Sequence, residues 1–232
     1  MKNIFLIIPC YNEQGNIRSL LEEIRVLHPF VKPVVINDCS TDNTIDEASK
    51  VFDTTVISLP VNLGVGGAVQ TGFIYSTEHK AQIAVKIDGD GQHAPSDLKK
   101  LLTAIENNEA DIIIGSRFLE NNNGFKSSFA RRLGIRLLQK LCKILIGQTI
   151  TDPTSGYRAY NKKALEFMAE NYPSFDYPEP EELVLASRNH LRIAEIPVTM
   201  RERQNGTSSI GFWGSAYYMI KVVISMLFIS LR

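Results

Sequence analysis

Apolar positions in the first half of the chain fall in short continuous runs, separated by longer stretches of mixed polarity. The runs Ile4 to Ile8, Pro33 to Asn37, Thr55 to Leu59, Ala84 to Ile87 and Asp111 to Gly115 read as strands. Their apolar residues are consecutive rather than alternating, the pattern of strands covered on both faces. Helical segments lie between them. Ser40-Thr41-Asp42 supplies capping side chains ahead of Asn43 to Val51, and Ser96 and Asp97 do the same for Leu98 to Glu106. Buried strands alternating with helices predict an α/β fold with a mainly parallel sheet flanked by helices. Ligands of such sheets sit beyond the carboxyl ends of the strands. The polar residues just after each run are therefore the candidates for function.

The pattern changes after a polar loop, Glu120 to Lys126. Residues 126–143 carry six basic side chains (Lys126, Arg131, Arg132, Arg136, Lys140, Lys143) and no acid. Wound at about 100° per residue, Arg132, Arg136, Lys140 and Lys143 share one face. Leu133, Leu137, Leu138, Leu141, Ile144 and Leu145 take the opposite side. Such a helix suits an anionic membrane surface, or packs on the core with a solvated basic face. Arg131 falls outside the basic stripe. The run Phe212 to Leu231 holds one charge, Lys221, and barely reaches the roughly 20 apolar residues of a membrane span. It reads as an interfacial or partner-binding helix, which divides the chain into an α/β domain, 1–209, and an apolar helix, 210–232.

Composition narrows the setting. The 232 residues suffice for one substantial domain. Lys+Arg and Asp+Glu balance at 25 each, so no global field points to nucleic acid. Cys10, Cys39 and Cys142 form no CxxC pair and are odd in number, which suits reduced thiols in the cytosol. No secretory signal pattern opens the sequence, and Ile4 to Ile8 is too short to span a bilayer. Together these features predict a cytoplasmic protein, peripheral on the inner face of a membrane.

Asp88-Gly89-Asp90-Gly91-Gln92-His93 follows the fourth strand. Two carboxylates at i, i+2 can turn toward one hard cation, and Mg²⁺ or Mn²⁺ bound there keeps positions open for diphosphate oxygens. A calcium loop would need Gly where His93 stands. Two further polar segments follow strands, Pro9-Cys10-Tyr11-Asn12-Glu13 and Asn37-Asp38-Cys39-Ser40-Thr41-Asp42. Asp38 is placed to grip a base edge or a ribose hydroxyl, Tyr11 to stack on a base and Glu13 to accept a hydrogen bond from either. Ser40 and Asp42 read as helix caps. Asn62-Leu63-Gly64-Val65-Gly66-Gly67-Ala68 opens a helix with glycines that permit close backbone approach to a ligand. Its spacing matches neither a Walker loop nor a dinucleotide fingerprint.

In sequence order, Pro9-x-Tyr11-Asn12-Glu13, Asp38-x-Ser40-x-Asp42, Asn62-x-Gly64-x-Gly66, Asp88-x-Asp90-Gly91-Gln92, Gly115-Ser116-Arg117 and Asp152-x-x-Ser155-Gly156-Tyr157-Arg158 resemble the motif series of the family-two inverting glycosyltransferases. The similarity runs from Ile4 to about Ser209 and favours the branch that includes dolichyl-phosphate mannose synthase. It implies a GT-A fold with a catalytic Mg²⁺ or Mn²⁺ and a nucleotide-sugar donor. By that resemblance Pro9, Tyr11, Glu13 and Asp38 hold the nucleoside, with Gly64 and Gly89 in the backbone that approaches the donor. Asp88 and Asp90 bind metal and diphosphate beside Gln92. Arg203, Gly206 and Ser208 match a mobile R-x-x-G-x-S loop that closes on the donor; Ser209 stands where relatives commonly have Lys. Arg117 and Arg131 match arginines that receive an acceptor phosphate, as guanidinium forks suit.

The acceptor is where alternatives remain. A hydroxyl acceptor needs a carboxylate base, whereas a polyprenyl phosphate is already an anion. Glu179-Pro180-Glu181-Glu182 lies where hydroxyl-acceptor relatives place a Glu-Asp pair, which makes Glu182 a candidate base or a brace for a helix start. Polyprenyl phosphate is the preferred acceptor, and a hydroxyl of a lipid-linked or surface polysaccharide the alternative. A non-catalytic subunit recruited to a membrane protein by the carboxyl-terminal helix is the third reading. A sugar-phosphate nucleotidyltransferase would carry a Gly-rich basic loop after the first strand, and Pro9 to Glu13 offers none.

Overall fold

The computed structural model describes residues 2–119, 129–173, 178–201 and 212–231, with side chains from Gly134 and Met219 onward in the helices that begin at 129 and 212. The elements are β1 (Ile4–Cys10), α1 (Ile17–Leu27), β2 (Lys32–Asn37), α2 (Thr44–Ser49), β3 (Thr55–Ser58), α3 (Gly64–Glu78), β4 (Ile83–Lys86), α4 (Leu98–Glu106), β5 (Ile112–Ser116), α5 (Phe129–Ile146), β6 (Arg158–Asn161), α6 (Lys162–Asn171), α7 (Glu179–Arg188), β7 (Ile193–Pro197) and α8 (Phe212–Ser230). All five expected strands are present at nearly the expected bounds.

The seven strands form one sheet in the order β3-β2-β1-β4-β6-β5-β7. Every pair is parallel except those made by β6, which runs antiparallel to β4 and β5. Both faces are covered. One apolar layer joins Leu6, Ile8, Val35, Val85 and Ile113 to α1 and α4, and the other joins Phe5, Ile7, Val34, Ala84 and Ile112 to α3, α5, α6, α7 and α8. That two-sided burial explains why the strand sequences do not alternate. In α1, Ile17, Leu20, Leu21 and Ile24 are buried, the i, i+3, i+4, i+7 spacing of a helix that packs on one side.

The antiparallel β6 decides where the site lies. Its amino end, not its carboxyl end, sits beside the carboxyl ends of β4 and β5, with Arg158 opposite both Lys86 and Ile114. The loop 152–157 is thereby delivered to the same edge as the loops that follow β1, β2 and β4.

One of the expected helix caps serves another purpose. The carboxylate of Asp97 accepts the Thr199 amide at 2.6 Å and makes no cap bond to α4. In α5, Ile135, Leu138 and Cys142 are the buried stripe. Leu137 and Ile144, expected on the face away from the basic stripe, are exposed along with Arg136, Lys140 and Lys143. Among the described residues no helix is long and apolar enough to cross a membrane.

Candidate active site

The loops after β1 and β2 are joined by hydrogen bonds between their polar residues. Asn12 takes a left-handed conformation, φ 56°. Its amide donates to Ser40 Oγ at 3.0 Å, and its side-chain Oδ1 accepts from the Thr41 amide at 2.8 Å. The Glu13 amide donates to Thr44 Oγ1 at 2.8 Å and the Gln14 amide to Asp42 Oδ2 at 3.2 Å. Ser40 is therefore a loop-to-loop link rather than a helix cap. Asp42 does accept from Thr44, the first residue of α2, at 3.0 Å, while also holding the neighbouring loop. Pro9 is buried at the end of β1, and Tyr11 stands half exposed at the mouth. The Glu13 carboxylate accepts from Asn16 Nδ2 at 2.7 Å and so braces the start of α1.

Asp38 is almost fully buried. Its Oδ1 accepts the Leu63 amide at 2.7 Å, and its carbonyl accepts Asn62 Nδ2 at 3.1 Å. One carboxylate oxygen thus fixes the turn that leads into α3 at Gly64, where φ is 77°.

Asp88 and Asp90 follow β4 at the centre of this edge, both partly exposed, and 38% of the Asp88 side-chain surface is open. His93 Nε2 lies 3.5 Å from Asp88 Oδ2. Burial pushes the Asp88 carboxyl up, but His93, Lys86 and Arg117 outweigh it and bring its pKa down to about 2. It is a carboxylate at any physiological pH. Gly156 backs it: a Cβ there would lie 2.7 and 2.8 Å from the two oxygens. Gly89 packs onto Cys10, and a Cβ would come 2.5 Å from its Sγ. Asp90 Oδ1 accepts the Gln92 amide at 3.0 Å, and the Gln92 carbonyl accepts the Arg201 amide at 2.7 Å. Among the described residues no three His, Cys, Asp or Glu side chains gather as a closed metal cage. Two partly exposed carboxylates two residues apart are oxygen donors of the kind Mg²⁺ takes in phosphate sites, so the pair fits that ion or Mn²⁺.

Arg117 is buried and bound to Asp152: Nε to Oδ2 and Nη2 to Oδ1, both at 2.6 Å, with its own amide to Oδ2 at 3.1 Å. Nη2 also reaches Thr154 Oγ1 at 2.8 Å, and Nη1 faces Met200 Sδ at 3.8 Å. The Asp152 amide in turn donates to Glu195 Oε1 at 2.8 Å. The fork expected to grip a phosphate is thus engaged by a carboxylate.

Glu182 does not face the site. It is fully buried, its Oε2 paired with Arg158 Nη1 at 3.1 Å and accepting from Tyr172 Oη at 3.2 Å. Its burial and its pairing with Arg158 suit the other expected role, a brace at the start of α7. The side chain of Arg131 lies outside the described residues, as do Arg203 and Ser208.

Four residues of this edge were not singled out for chemistry from the sequence: Lys86, Asp152, Gly156 and Arg158. Three sit in the Asp152-to-Arg158 motif, and Lys86 is a lone cation inside the apolar run Ala84 to Ile87. That misplaced charge was the available signal.

The sheet order, the single antiparallel strand and the acidic pair after β4 define a GT-A glycosyltransferase architecture. Residues 5–168 match glycosyl transferase family 2, and the chain belongs to that family and is a glycosyltransferase. A UDP-N-acetylglucosamine–dolichyl-phosphate N-acetylglucosaminyltransferase of Methanococcus voltae is 34% identical over 215 residues, covering 85% of this chain and 85% of its own. Polyprenol monophosphomannose synthase of Mycolicibacterium smegmatis is 30% identical over 224 residues, 94% of this chain and 84% of its own. The fold superposes on glucosyl-3-phosphoglycerate synthase from Mycobacterium tuberculosis, solved with Mn²⁺, UDP and phosphoglyceric acid. The TM-score is 0.76 at 19% identity, over 99% of this chain and 78% of that one.

Proposed function

We propose that this chain moves a sugar, with inversion, from a nucleotide-sugar donor onto a polyprenyl phosphate at a membrane surface. The observation that carries the choice of acceptor is the burial of Glu182 in an ion pair with Arg158. With that carboxylate withdrawn, an acceptor that arrives already ionised suits the site better than a hydroxyl that must lose a proton. The two relatives above are named for dolichyl-phosphate and polyprenol-phosphate products, which supports the same choice.

The reaction is a single displacement. An acceptor phosphate oxygen bonds to the anomeric carbon as the bond to the donor diphosphate breaks, and the nucleoside diphosphate leaves with the electron pair. Asp88 and Asp90 would hold the divalent ion, which when bound neutralises charge on the departing diphosphate. Tyr11 and Asp38 flank the nucleoside end, beside Pro9, Glu13, Gly64 and Gly89. Gln92 sits next to the acidic pair, and Arg203 and Ser208 are assigned the donor phosphates. Arg131 is assigned the acceptor phosphate. Arg117, held by Asp152, adds a fixed positive charge more than a free fork.

Membrane contact is assigned to α5 and α8. Arg136, Lys140 and Lys143 are exposed next to Leu137 and Ile144, and Ile220, Ile224, Leu227, Phe228 and Leu231 form an exposed apolar stripe on α8. Basic and apolar groups exposed together match an anionic lipid surface.

The test is transfer by the purified chain with Mg²⁺ or Mn²⁺, radiolabelled nucleotide sugars and undecaprenyl phosphate in detergent. Label entering the lipid phase with one donor is the expected result. Donor binding or slow hydrolysis with no labelled lipid would overturn the phosphate acceptor and return the hydroxyl acceptor to the front.

A further inference from the structure

Lys86 and Arg158 occupy directly opposed positions of the antiparallel β4–β6 pair, and both side chains are fully buried. Like charges facing each other across a sheet are destabilising, so the arrangement breaks a local rule of strand pairing. Two acids from the first turn of α7 offset it. Glu179 Oε1 lies 2.5 Å from Lys86 Nζ, and Glu182 Oε2 lies 3.1 Å from Arg158 Nη1. The quartet is formally neutral and largely buried, with only Glu179 partly exposed. Apolar residues of similar volume would serve stability equally well or better in such a place, which directs attention to what the quartet holds.

Arg158 holds the loop 152–156. Its Nε donates to the Ser155 carbonyl at 2.9 Å, its Nη2 to the Pro153 carbonyl at 3.0 Å and its Nη1 to the Glu179 carbonyl at 2.9 Å. One end of that loop is Asp152, which carries the Arg117 guanidinium. The other is Gly156, which seats the Asp88 carboxylate. Lys86 ends β4 two residues before Asp88 and binds the same helix turn. Both halves of the site are therefore referred to one buried anchor at the start of α7.

We propose that Lys86, Glu179, Arg158 and Glu182 form a positioning device, which sets the loop 152–156 and so fixes the placement of Asp88 relative to Arg117. None of the four touches substrate; they act through Gly156 and Asp152. The claim concerns residues of the transferase site proposed above and rests on that reading for its effect on turnover, though not for its effect on the loop.

The test compares the full-length wild type with the double variant Lys86→Met/Glu179→Leu, which removes a cation and an acid together and leaves no unpaired charge of that pair. In ligand-free protein, amide hydrogen exchange across 152–157 and 88–91 should speed up about 10-fold or more, with β1 and β2 unchanged. In the transfer assay kcat should fall on the order of 10- to 100-fold, as misplacement by an ångström does, while donor KM moves by about 2-fold or less. Lys86→Arg, which keeps the charge and the pairing, should restore both. Wild-type exchange and kcat in the folded double variant would overturn the proposal. If that variant does not fold, Glu179→Gln is read in the same way, and unchanged loop exchange there overturns it. A wild type that transfers no sugar removes the function proposed above, and the exchange comparison still decides the positioning claim.

Discussion

A methyl group at position 156 would stand 2.7 and 2.8 Å from the oxygens of Asp88, inside any distance a real Cβ tolerates. The carboxylate, not the loop backbone that Arg158 holds, has the freedom to yield. Gly156→Ala should therefore fold normally and lose about 100-fold in transfer, with a raised Mn²⁺ requirement; steady-state rates across a Mn²⁺ titration check it. Asp90→Ala should abolish transfer at unchanged thermal midpoint, and retained activity would remove Asp90 from the metal site. Glu182 gives a sharper contrast. Glu182→Gln leaves the Arg158 guanidinium buried with its counterion gone, a loss of about 3 kcal/mol by analogy with other broken buried pairs. For a chain of this size that is a fall of about 10 °C in melting temperature. A base would show the opposite pattern, transfer abolished at wild-type stability, and calorimetry alongside kinetics separates the two.

At the scale of elements, α5 shows both the power and the limit of periodicity. The sequence groups Arg136, Lys140 and Lys143 correctly on one face. It cannot choose the rotation of the helix against its neighbours, because the arc occupied by leucines is wider than the surface the core can take. The core takes Ile135, Leu138 and Cys142, and Ile144 is left 69% exposed. In α8 Val222, Met226 and Ser230 are buried, while Phe228 is 68% exposed on the other side. Each basic residue near an anionic surface contributes roughly 1 kcal/mol. Replacing Arg136, Lys140 and Lys143 together by Ala should thus weaken binding to phosphatidylglycerol vesicles on the order of 100-fold, with less sensitivity to salt. Sedimentation with vesicles at two ionic strengths measures it. Binding unaffected by the triple change would leave the exposed stripe of α8 to a protein partner.

For the whole molecule, the five strands legible in the sequence share one property: each is a short, mostly apolar run. Arg158 to Asn161 has no such run, because Arg158 serves the buried quartet and Asn161 caps α6 by accepting the Ala164 amide at 2.9 Å. β6 was therefore unreadable as a strand, and with it the route that brings Asp152 and Gly156 to the acidic pair. The loop residues after β1, β2 and β4 were legible because a parallel sheet places them together whatever their partners. What they bind within the protein was not, since Ser40, Asp38 and Arg117 each pair with residues distant in sequence.

Those distant pairings also set the response to acid. Burial raises the carboxyls of Asp88, Asp111 and Asp152, yet in each case bound donors outweigh it and the pKa falls below the ordinary range. For Asp111 the donors are the Arg192 amide and guanidinium and Asn161 Nδ2. A depressed folded pKa means that the unfolded chain takes up protons first as pH drops. The stabilisation is complete above the unfolded value, about 3.9 for Asp, and is lost as pH falls through the folded ones. Glu195 works the other way, because burial raises it more than the Thr151 and Asp152 amides lower it. The Arg201 guanidinium lowers Glu23 and the Lys50 ammonium lowers Glu47, as donors lower the Asp carboxyls. Five depressed carboxyls against one raised predict a melting temperature level from about pH 7 to pH 5 that drops steeply below about pH 4. Asp111→Asn, remote from the acidic pair, should melt lower at pH 7 and lose less between pH 4 and pH 2.5, because one of the linked protons is gone. Parallel curves for variant and wild type in a circular-dichroism melt series would show that Asp111 is not among the groups that set the acid limb.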